Sequence, residues 1–277
     1  LFLAPGEYQL PDALDRAGQV AIIGACPEST RLTPADTDAP VVDLSGPDEL
    51  YLYGLRLDGG QYGLRASDMA KLRLSQTHIT GAASAGVYVS DVVRAKIDHS
   101  VIDGSPDLGI RTENSGLGLL ATIVDTDGAW SIRGRKKSGF DLTNCTSSSY
   151  KFCPYSGFLY LDESLVRGAR RGGIRLQHGV LRMRRTRLEQ IGQAGNASKE
   201  NAGLHALQSF ISVDDQSLIR NIRGRGMLLE SARAGIEDIA VEQTDHEGIV
   251  IRRLAGAQLL LPGWTDSNGN QIGRAHV

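Results

Sequence analysis

Two stretches of the sequence repeat one another: GLRASDMAKLRLSQTHITG from Gly63 to Gly81, and GVYVSDVVRAKIDHSVIDG from Gly86 to Gly104. Each opens with glycine and an aliphatic residue, carries Ser-Asp at its fifth and sixth positions, and ends in ITG or IDG. The two starts are about 23 residues apart, which lies in the range of solenoid repeats. The opening mark recurs through the chain, so we interpret it as the period of the whole molecule. The starts are Val41-Val42, Gly63-Leu64, Gly86-Val87, Gly109-Ile110, Ala129-Trp130, Ser149-Tyr150, Gly173-Ile174, Gly203-Leu204, Gly226-Met227 and Gly248-Ile249.

Further apolar marks follow each start at fixed distances. Two alternating apolar residues come first, and a third apolar residue follows about five positions later, so each unit of about 20 to 24 residues predicts three short strands. Three short strands in each repeat of this length predict a β-solenoid of about ten coils. No segment after about residue 20 has sustained helical periodicity. A leucine-rich repeat is disfavoured because its LxxLxLxxN signature is missing. The alternating pairs are Leu50/Leu52, Leu72/Leu74, Ala95/Ile97, Phe140/Leu142, Leu159/Leu161, Leu181/Met183 and Ile211/Val213, and the third marks are Leu57, Ile79, Ile102, Val166, Leu188 and Leu218.

The composition narrows the possible partners. The chain has 277 residues, a formal net charge of -2 and 41% hydrophobic residues, so no global field favours nucleic acid or an anionic membrane. No apolar run approaches the roughly 18 residues of a membrane-spanning helix. Cys26, Cys145 and Cys153 have no zinc-ligand spacing. Cys145 and Cys153 can form a disulfide or remain buried thiols, and the sequence leaves both open.

Both ends of the sequence suggest truncation. The chain starts at Leu1 without a Met or a signal peptide, and its last six residues, IGRAHV, have the character of a translated sequencing adapter. We therefore expect one parallel β-helix domain over residues 1–271, truncated at one or both ends, and a non-native tail over residues 272–277.

The N-terminal residues LFLAPGEYQL and VAIIGACPESTRL, together with the repeated pattern GIxL…LxLxxTxI, resemble right-handed parallel β-helix proteins of the pectin lyase-like superfamily. The resemblance covers nearly the whole chain. It implies an all-β, single-stranded right-handed parallel β-helix with three short strands per coil, located outside the cell or at its surface. It also implies ligand binding along the first-strand face. In that family a side-chain ladder, commonly of Asn, lines the turn between the second and third strands, and the matching residues here are Thr77, Ser100, Cys145, Ser164 and Thr186.

An outward column of side chains is predicted between the inward apolar residues of the first strands. Equivalent residues on parallel strands lie about 4.8 Å apart, so like charges in this column need counter-charges or an anionic ligand. Asp68, Asp91 and Glu113 in the following turns can supply counter-charges, and a solvated, ion-paired face is the structural alternative. The functional interpretation is a carbohydrate groove, in which arginine pairs with carboxylate or sulfate and Tyr88 stacks on a sugar ring. The column contains Arg65, Tyr88, Arg111, Ser131, Lys151, Arg175 and His205, of which all but Ser131 are predicted to bind substrate.

A second outward column follows the middle strands, where acidic and basic pairs alternate and predict an ion-pair ladder. Its members are Asp98-His99, Asp162-Glu163, Arg184-Arg185, Asp214-Asp215 and Glu237-Asp238. Asp214 and Asp215 resemble the paired carboxylates of glycosidases, but neighbouring residues of a strand point to opposite faces.

The leading hypothesis is a secreted or cell-surface protein that binds a polysaccharide or cell-surface glycan along the first-strand face. The alternative is a polysaccharide lyase or glycoside hydrolase acting on an anionic polysaccharide at the same face, with its catalytic residues unassigned, and a structural spacer is the third option. We expect no cofactor and no metal, and the alternative is Ca²⁺ held by Asp68 and Asp91 on neighbouring coils. We also expect no nucleic-acid partner, no membrane span and a monomer.

Overall fold

A computed structural model describes residues 1–11, 19–46, 49–135, 157–192 and 201–252. These ranges contain strands, turns and bends but no helix, and the strands form three sheets in which all neighbours are parallel. Sheet 1 consists of β4 (Val42–Ser45), β7 (Tyr62–Ser67), β10 (Ala85–Ser90), β13 (Leu108–Glu113), β16 (Trp130–Arg135), β19 (Gly172–Gln177), β22 (Ala202–Leu207), β25 (Arg225–Glu230) and β28 (Ile249–Arg252).

Sheet 2 follows sheet 1 along the chain in every coil, and sheet 3 follows sheet 2. Sheet 2 consists of β2 (Val20–Ile23), β5 (Glu49–Tyr53), β8 (Lys71–Ser75), β11 (Arg94–Asp98), β14 (Gly116–Leu120), β17 (Gly157–Asp162), β20 (Gly179–Arg184), β23 (Phe210–Asp214) and β26 (Arg233–Ile236). Sheet 3 consists of β1 (Gly6–Leu10), β3 (Thr30–Pro34), β6 (Arg56–Asp58), β9 (His78–Thr80), β12 (Val101–Asp103), β15 (Ile123–Asp125), β18 (Leu165–Arg167), β21 (Arg187–Ile191), β24 (Ser217–Ile222) and β27 (Ile239–Thr244).

The described residues therefore form a right-handed parallel β-helix with three strands per coil, as predicted, and they contain about nine of the roughly ten coils expected. One aliphatic core fills the interior, and its members stack in columns because equivalent residues of successive coils pair in register. Leu72, Leu74 and Ile97 of sheet 2, for example, are all buried. Within the described residues, no helix is long and apolar enough to cross a membrane.

The glycine of the Gly-aliphatic mark lies where sheet 1 closely approaches sheet 3. A Cβ atom built on Gly86 would be 2.5 Å from Cγ2 of Ile102, and one on Gly109 would be 2.6 Å from Cγ1 of Val124. Real Cβ atoms do not come so close to other atoms, so the coil can close on its aliphatic core only with glycine or a shift of the backbone.

The predicted register fails around the fifth and sixth starts. Ile132 pairs with Ile110 and Ile174, so the coil begins at Ser131-Ile132 rather than at Ala129-Trp130. Because β16 pairs directly with β19, the stack has no position for a separate coil starting at Ser149-Tyr150, and those two residues lie outside the described ranges. Phe140 and Leu142 also lie outside them.

Two further apolar marks are corrected by the strand pairing. Leu117 and Leu119 of β14 pair with Leu159 and Leu161, and they fill the core position that the sequence pattern assigned to Phe140 and Leu142. In sheet 3 the inward residue of β24 is the fully buried Ile219, which pairs with Leu188, whereas Leu218 pairs with Arg187 on the outward side.

A ladder of buried hydroxyl groups lines the turn between sheets 2 and 3, where the sequence predicts it. The Ser100 hydroxyl accepts from the Thr77 backbone N–H at 3.1 Å and donates to the Asp98 carbonyl at 2.8 Å. Thr122 holds the position predicted for Cys145, which lies outside the described residues, and its backbone N–H donates to Ser164. The rungs continue from Ser164 to Thr186 and from Thr186 to Ser217.

The Ser-Asp echo marks a turn with left-handed backbone. Asp68 and Asp91 both have a φ of 55°, a conformation in which aspartate is tolerated better than most residues. The Asn114 side chain, one coil further, donates a hydrogen bond to the Asp91 carboxylate at 2.8 Å. These aspartates therefore shape the turn between sheets 1 and 2.

Candidate functional site

The outward column of sheet 1 brings five of the six predicted binding residues into one line. Each member pairs with the member of the next coil, so its neighbours lie one strand spacing away, about 4.8 Å. We call this set the sheet 1 column, and in order it consists of Arg65, Tyr88, Arg111, Arg133, Arg175 and His205.

Two residues of the predicted column are not in it. Ser131 is fully buried and donates to the Arg167 carbonyl, because the strand alternation turns Arg133 outward instead. Lys151 lies outside the described residues, and the direct pairing of Arg133 with Arg175 leaves no position for it between them. The signal for Arg133 was present in the sequence, because Ser131-Ile132-Arg133 repeats the Gly-Ile-Arg of two other coils.

Carboxylates neutralise three of the column's basic residues. The Arg65 guanidinium donates to Asp43 at 2.8 Å, and Arg111 and Arg135 both contact Glu113 at 2.8 Å. At the far end, His205 contacts Glu230 at 2.8 Å.

The two glutamates in these pairs are held ionised by their partners. Burial opposes ionisation of Glu113, but hydrogen bonds and charge from Arg111 and Arg135 outweigh it and lower the pKa of Glu113. Burial likewise opposes ionisation of Glu230, yet contacts with His205 and Arg252 lower the pKa of Glu230. These ends of the column are therefore the ion-paired surface that the structural alternative predicts.

Arg133 and Arg175 differ from their neighbours. The two residues pair across adjacent coils, so two positive charges lie close together. No carboxylate among the described residues forms an ion pair with either guanidinium. Burial and the positive charges of Arg175, Arg111 and Arg135 lower the pKa of Arg133. Because arginine remains protonated in proteins, the repulsion persists as a local excess of positive charge. An anion placed between these two side chains would relieve it.

An aromatic cluster lies beside the column, outside the aliphatic core. It is formed by the residues at the beginning of the sheet 1 strands: Tyr62, Ala85, Leu108 and Trp130, with Ala129. The Tyr62 and Tyr88 rings are 5.5 Å apart, the Arg111 guanidinium lies 5.0 Å from the Tyr88 ring centroid, and the Arg175 guanidinium lies 5.7 Å from that of Trp130. Aromatic rings in such positions hold guanidinium groups in place through cation–π attraction.

Trp130 was read from the sequence as an inward residue at the start of a coil, and this was wrong. Its ring lies across Gly172 of the next coil, where a Cβ atom would be 2.5 Å from Cε3 of Trp130. The ring then reaches His205, whose centroid is 6.1 Å away. Trp130 therefore packs on the outside of sheet 1 and links three successive coils.

The ion-pair ladder predicted for the middle strands forms on sheet 2 over three successive members, Asp162-Glu163, Arg184-Arg185 and Asp214-Asp215. Arg185 contacts Asp162 at 2.7 Å and Glu163 at 3.1 Å, and the Arg184 Nε donates to Asp215 at 2.7 Å. Asp214 also contacts Arg184, at 3.5 Å. These aspartates are engaged with arginines on a different sheet from the sheet 1 column.

The Ca²⁺ site considered at Asp68 and Asp91 has no cluster of ligands around it, and Cys26 is the one cysteine within the described residues. Among the described ranges, no three or more His, Cys, Asp or Glu side chains converge as metal ligands, and Asp91 instead accepts from Ser90 and Asn114. Cys26 is a free thiol 3.1 Å from the Ser29 hydroxyl. Cys145 and Cys153 lie outside those ranges.

Comparisons with known proteins concern the fold. No family model matches the sequence, and no curated protein matches it. Among solved structures, full-length tailspike protein 2 from Escherichia coli O157:H7 bacteriophage CAB120 is similar with a TM-score of 0.52, 13% identity and 88% of this chain covered. The Agl-KA catalytic domain has a TM-score of 0.53 and 9% identity over 90% of this chain.

The chain spans 38% of that tailspike and 49% of that catalytic domain, so neither whole protein is represented here. Pectate lyase Pel9A has a TM-score of 0.48 at 9% identity, over 94% of this chain, which is too low to support an argument of its own. Identities this low establish the fold alone. The chain thus shares the parallel β-helix fold of these structures, as its sequence predicts.

Proposed function

We propose that the chain binds a polysaccharide along the exposed face of sheet 1, centred on Arg133 and Arg175. The observation that carries this proposal is the pair of guanidiniums in adjacent coils that form no ion pair with a carboxylate of the described residues, on a face that also carries the partly exposed rings of Tyr62 and Tyr88. Carboxylates pair with Arg65 and Arg111 in the same column, so Arg133 and Arg175 are the two arginines of the column whose charge is left for a ligand. Arginine presents a planar fork of donors that matches carboxylate and sulfate groups, and aromatic side chains offer flat apolar surface to sugar rings.

Affinity electrophoresis tests this proposal. The purified chain is run through gels that contain polygalacturonate, alginate, dextran sulfate or neutral dextran, and its mobility is compared with that in a blank gel. We expect retardation by at least one polysaccharide, and the double variant Arg133→Gln/Arg175→Gln should reduce it at least tenfold in apparent affinity, equivalent to about 1.4 kcal/mol.

A charge-matched control is available on the other sheets. Arg94 of sheet 2 and Arg187 of sheet 3 are exposed and form no ion pair with a described carboxylate, so Arg94→Gln/Arg187→Gln removes the same charge elsewhere. Equal losses in both double variants would mean that net charge alone drives binding, and would count against a site on sheet 1.

An enzyme acting on the same face is the second candidate. His205 contacts Glu230 at 2.8 Å in the coil next to Arg175, and a histidine oriented by a carboxylate can accept a proton from a substrate. A lyase would release products that absorb in the ultraviolet, and a hydrolase would release reducing ends. We expect either activity to be lost in His205→Gln. If no polysaccharide in the panel yields product, the enzyme hypothesis is wrong, and if none is bound either, a structural spacer is the remaining interpretation.

A further inference from the structure

Positive charge is unevenly distributed along the sheet 1 face. A neighbouring coil brings a carboxylate to Arg65 and another brings one to His205, namely Asp43 of β4 and Glu230 of β25. The coil of Arg111 contributes Glu113, which also contacts Arg135 of the next coil. One glutamate is thus shared by two arginines, so the excess of positive charge is centred on the two adjacent coils that carry Arg133, Arg135 and Arg175, and the charge of Asp107 offsets it only in part.

The spacing of these two coils suits a single anionic group. Their Cα atoms pair directly across neighbouring parallel strands, whose separation is about 4.8 Å. Arg133 is exposed and Arg175 is partly exposed, with its guanidinium over the Trp130 ring. Two guanidiniums at this spacing can donate to different oxygens of one carboxylate or sulfate, which is the charge-assisted arrangement that arginine forms best.

The neighbouring coils would disfavour a second and third anionic group. On the Arg111 side, Glu113 is buried and ionised. On the His205 side, Glu230 is already in contact with His205. A polysaccharide with a carboxylate on every sugar, lying along the face, would bring its additional charges towards these glutamates and towards arginines that are already paired. Arg111 shares Glu113 with Arg135, and His205 contacts Glu230, so an additional ligand charge could gain an ion pair there only by breaking an existing one.

We infer that the ligand is a sparsely charged acidic polysaccharide, in which one carboxylate or sulfate group binds between Arg133 and Arg175 and neutral sugars occupy the coils on either side. The inference rests on the proposed function, because it names the substrate class for the same face. It assigns charge recognition to two residues, one of which, Arg133, the sequence pattern did not select. Tyr88 and Tyr62, whose rings lie 5.5 Å apart, provide the neighbouring surface for an uncharged sugar.

Two ligand series with graded charge on a constant backbone test this inference. One is galacturonan in which an increasing share of the carboxylates is methyl-esterified, and the other is dextran with decreasing sulfate substitution. Dissociation constants are measured by isothermal titration calorimetry for the full chain, with concentrations expressed per charged group. In at least one series, we expect the affinity per charged group to stay within about threefold as most charges are removed, and binding to disappear when none remains.

Variants and salt identify the groups involved. Arg133→Gln and Arg175→Gln should each weaken binding of the sparsely charged ligand at least tenfold, about 1.4 kcal/mol, whereas Arg187→Gln on sheet 3 should change it less than twofold. The dependence of the binding constant on salt should be shallow, because only one ligand charge is neutralised.

The outcomes separate the inference from the proposed function. Affinity that rises steeply with charge density, with a salt dependence that reports several neutralised charges, would overturn the inference and leave polysaccharide binding intact. Binding to neutral dextran, unaffected by Arg133→Gln, would do the same. Absence of binding to every member of both series and to neutral dextran would refute both proposals.

Discussion

Two glycine-to-alanine substitutions in neighbouring coils should have opposite effects on stability. Gly86 of β10 and Gly118 of β14 both lie within strands, and neither has a positive φ. A Cβ atom on Gly86 would lie 2.5 Å from Cγ2 of Ile102 and 2.9 Å from the Gly109 carbonyl oxygen, whereas one on Gly118 would meet only the Ala95 carbonyl oxygen, at 3.9 Å.

The expected magnitudes follow from this geometry. Alanine restricts the unfolded chain in both variants, which stabilises the fold by about 0.4–1 kcal/mol where the native backbone accepts it. Gly118→Ala should therefore raise the free energy of unfolding by that amount. At Gly86 the neighbouring atoms include backbone, and overpacking a well-packed interior costs about 1–3 kcal/mol, so Gly86→Ala should lower the free energy of unfolding. Because the effect on the unfolded chain is common to both, the difference between the variants measures the cost of the close approach.

Urea denaturation, followed by far-ultraviolet circular dichroism, provides the assay. The two variants should shift the midpoint in opposite directions without a change in slope, because the surface exposed on unfolding is the same. A Gly86→Ala variant as stable as Gly118→Ala would refute the reasoning, because it would mean that the Gly-aliphatic mark does not report a close contact between sheets 1 and 3.

Three further substitutions test other parts of the structure. Ser100→Ala leaves the buried Thr77 backbone N–H without its partner and should cost about 1–3 kcal/mol in urea denaturation, whereas Ser100→Thr, which keeps the hydroxyl as neighbouring rungs do, should restore most of it. Glu113→Gln should destabilise the chain by about 1–3 kcal/mol at neutral pH, because its two arginine partners lose a buried carboxylate. The folded state lowers the pKa of Glu113, so this contribution is complete above the unfolded pKa and is lost as pH falls through the folded pKa; a difference from wild type that stays constant into acid would contradict the assignment. Gly172→Ala should displace the Trp130 ring and shift its fluorescence emission, and an unchanged spectrum would show that the ring does not lie across that glycine.

The sequence predicts the coil well because each coil repeats the same local constraints. A small residue at the close approach to sheet 3, alternating aliphatic residues and a turn residue with positive φ recur with the period, and pairing in register follows from them. The hydroxyl ladder was also predictable, since the rungs at Thr77 and Ser100 occupy equivalent positions after the second strand.

The errors have physical causes. The coil at Ser131 replaces glycine with another small residue, and Trp130 offered a false apolar mark that in fact packs on the outer face. A long segment separates β16 from β17, so counting residues could not show that Arg175 pairs directly with Arg133, and Lys151 lies outside the described residues. The sequence also could not show which arginines form ion pairs. Arg65 is paired and Arg133 is not because their three-dimensional neighbours differ, although the residue type is the same.

The pairing of Arg133 with Arg175 has a consequence for how such a surface can change over time. These residues are 42 positions apart in the chain, whereas Arg111 and Arg133 are 22 apart, yet each pair is separated by a single strand spacing. Axial distance is set by hydrogen bonding between coils and is independent of the length of chain between them. Segments between strands can therefore be lengthened, shortened or replaced while the charged groups of the outer face keep their spacing. Insertions and deletions in the turns can accumulate without changing the distance between neighbouring binding residues.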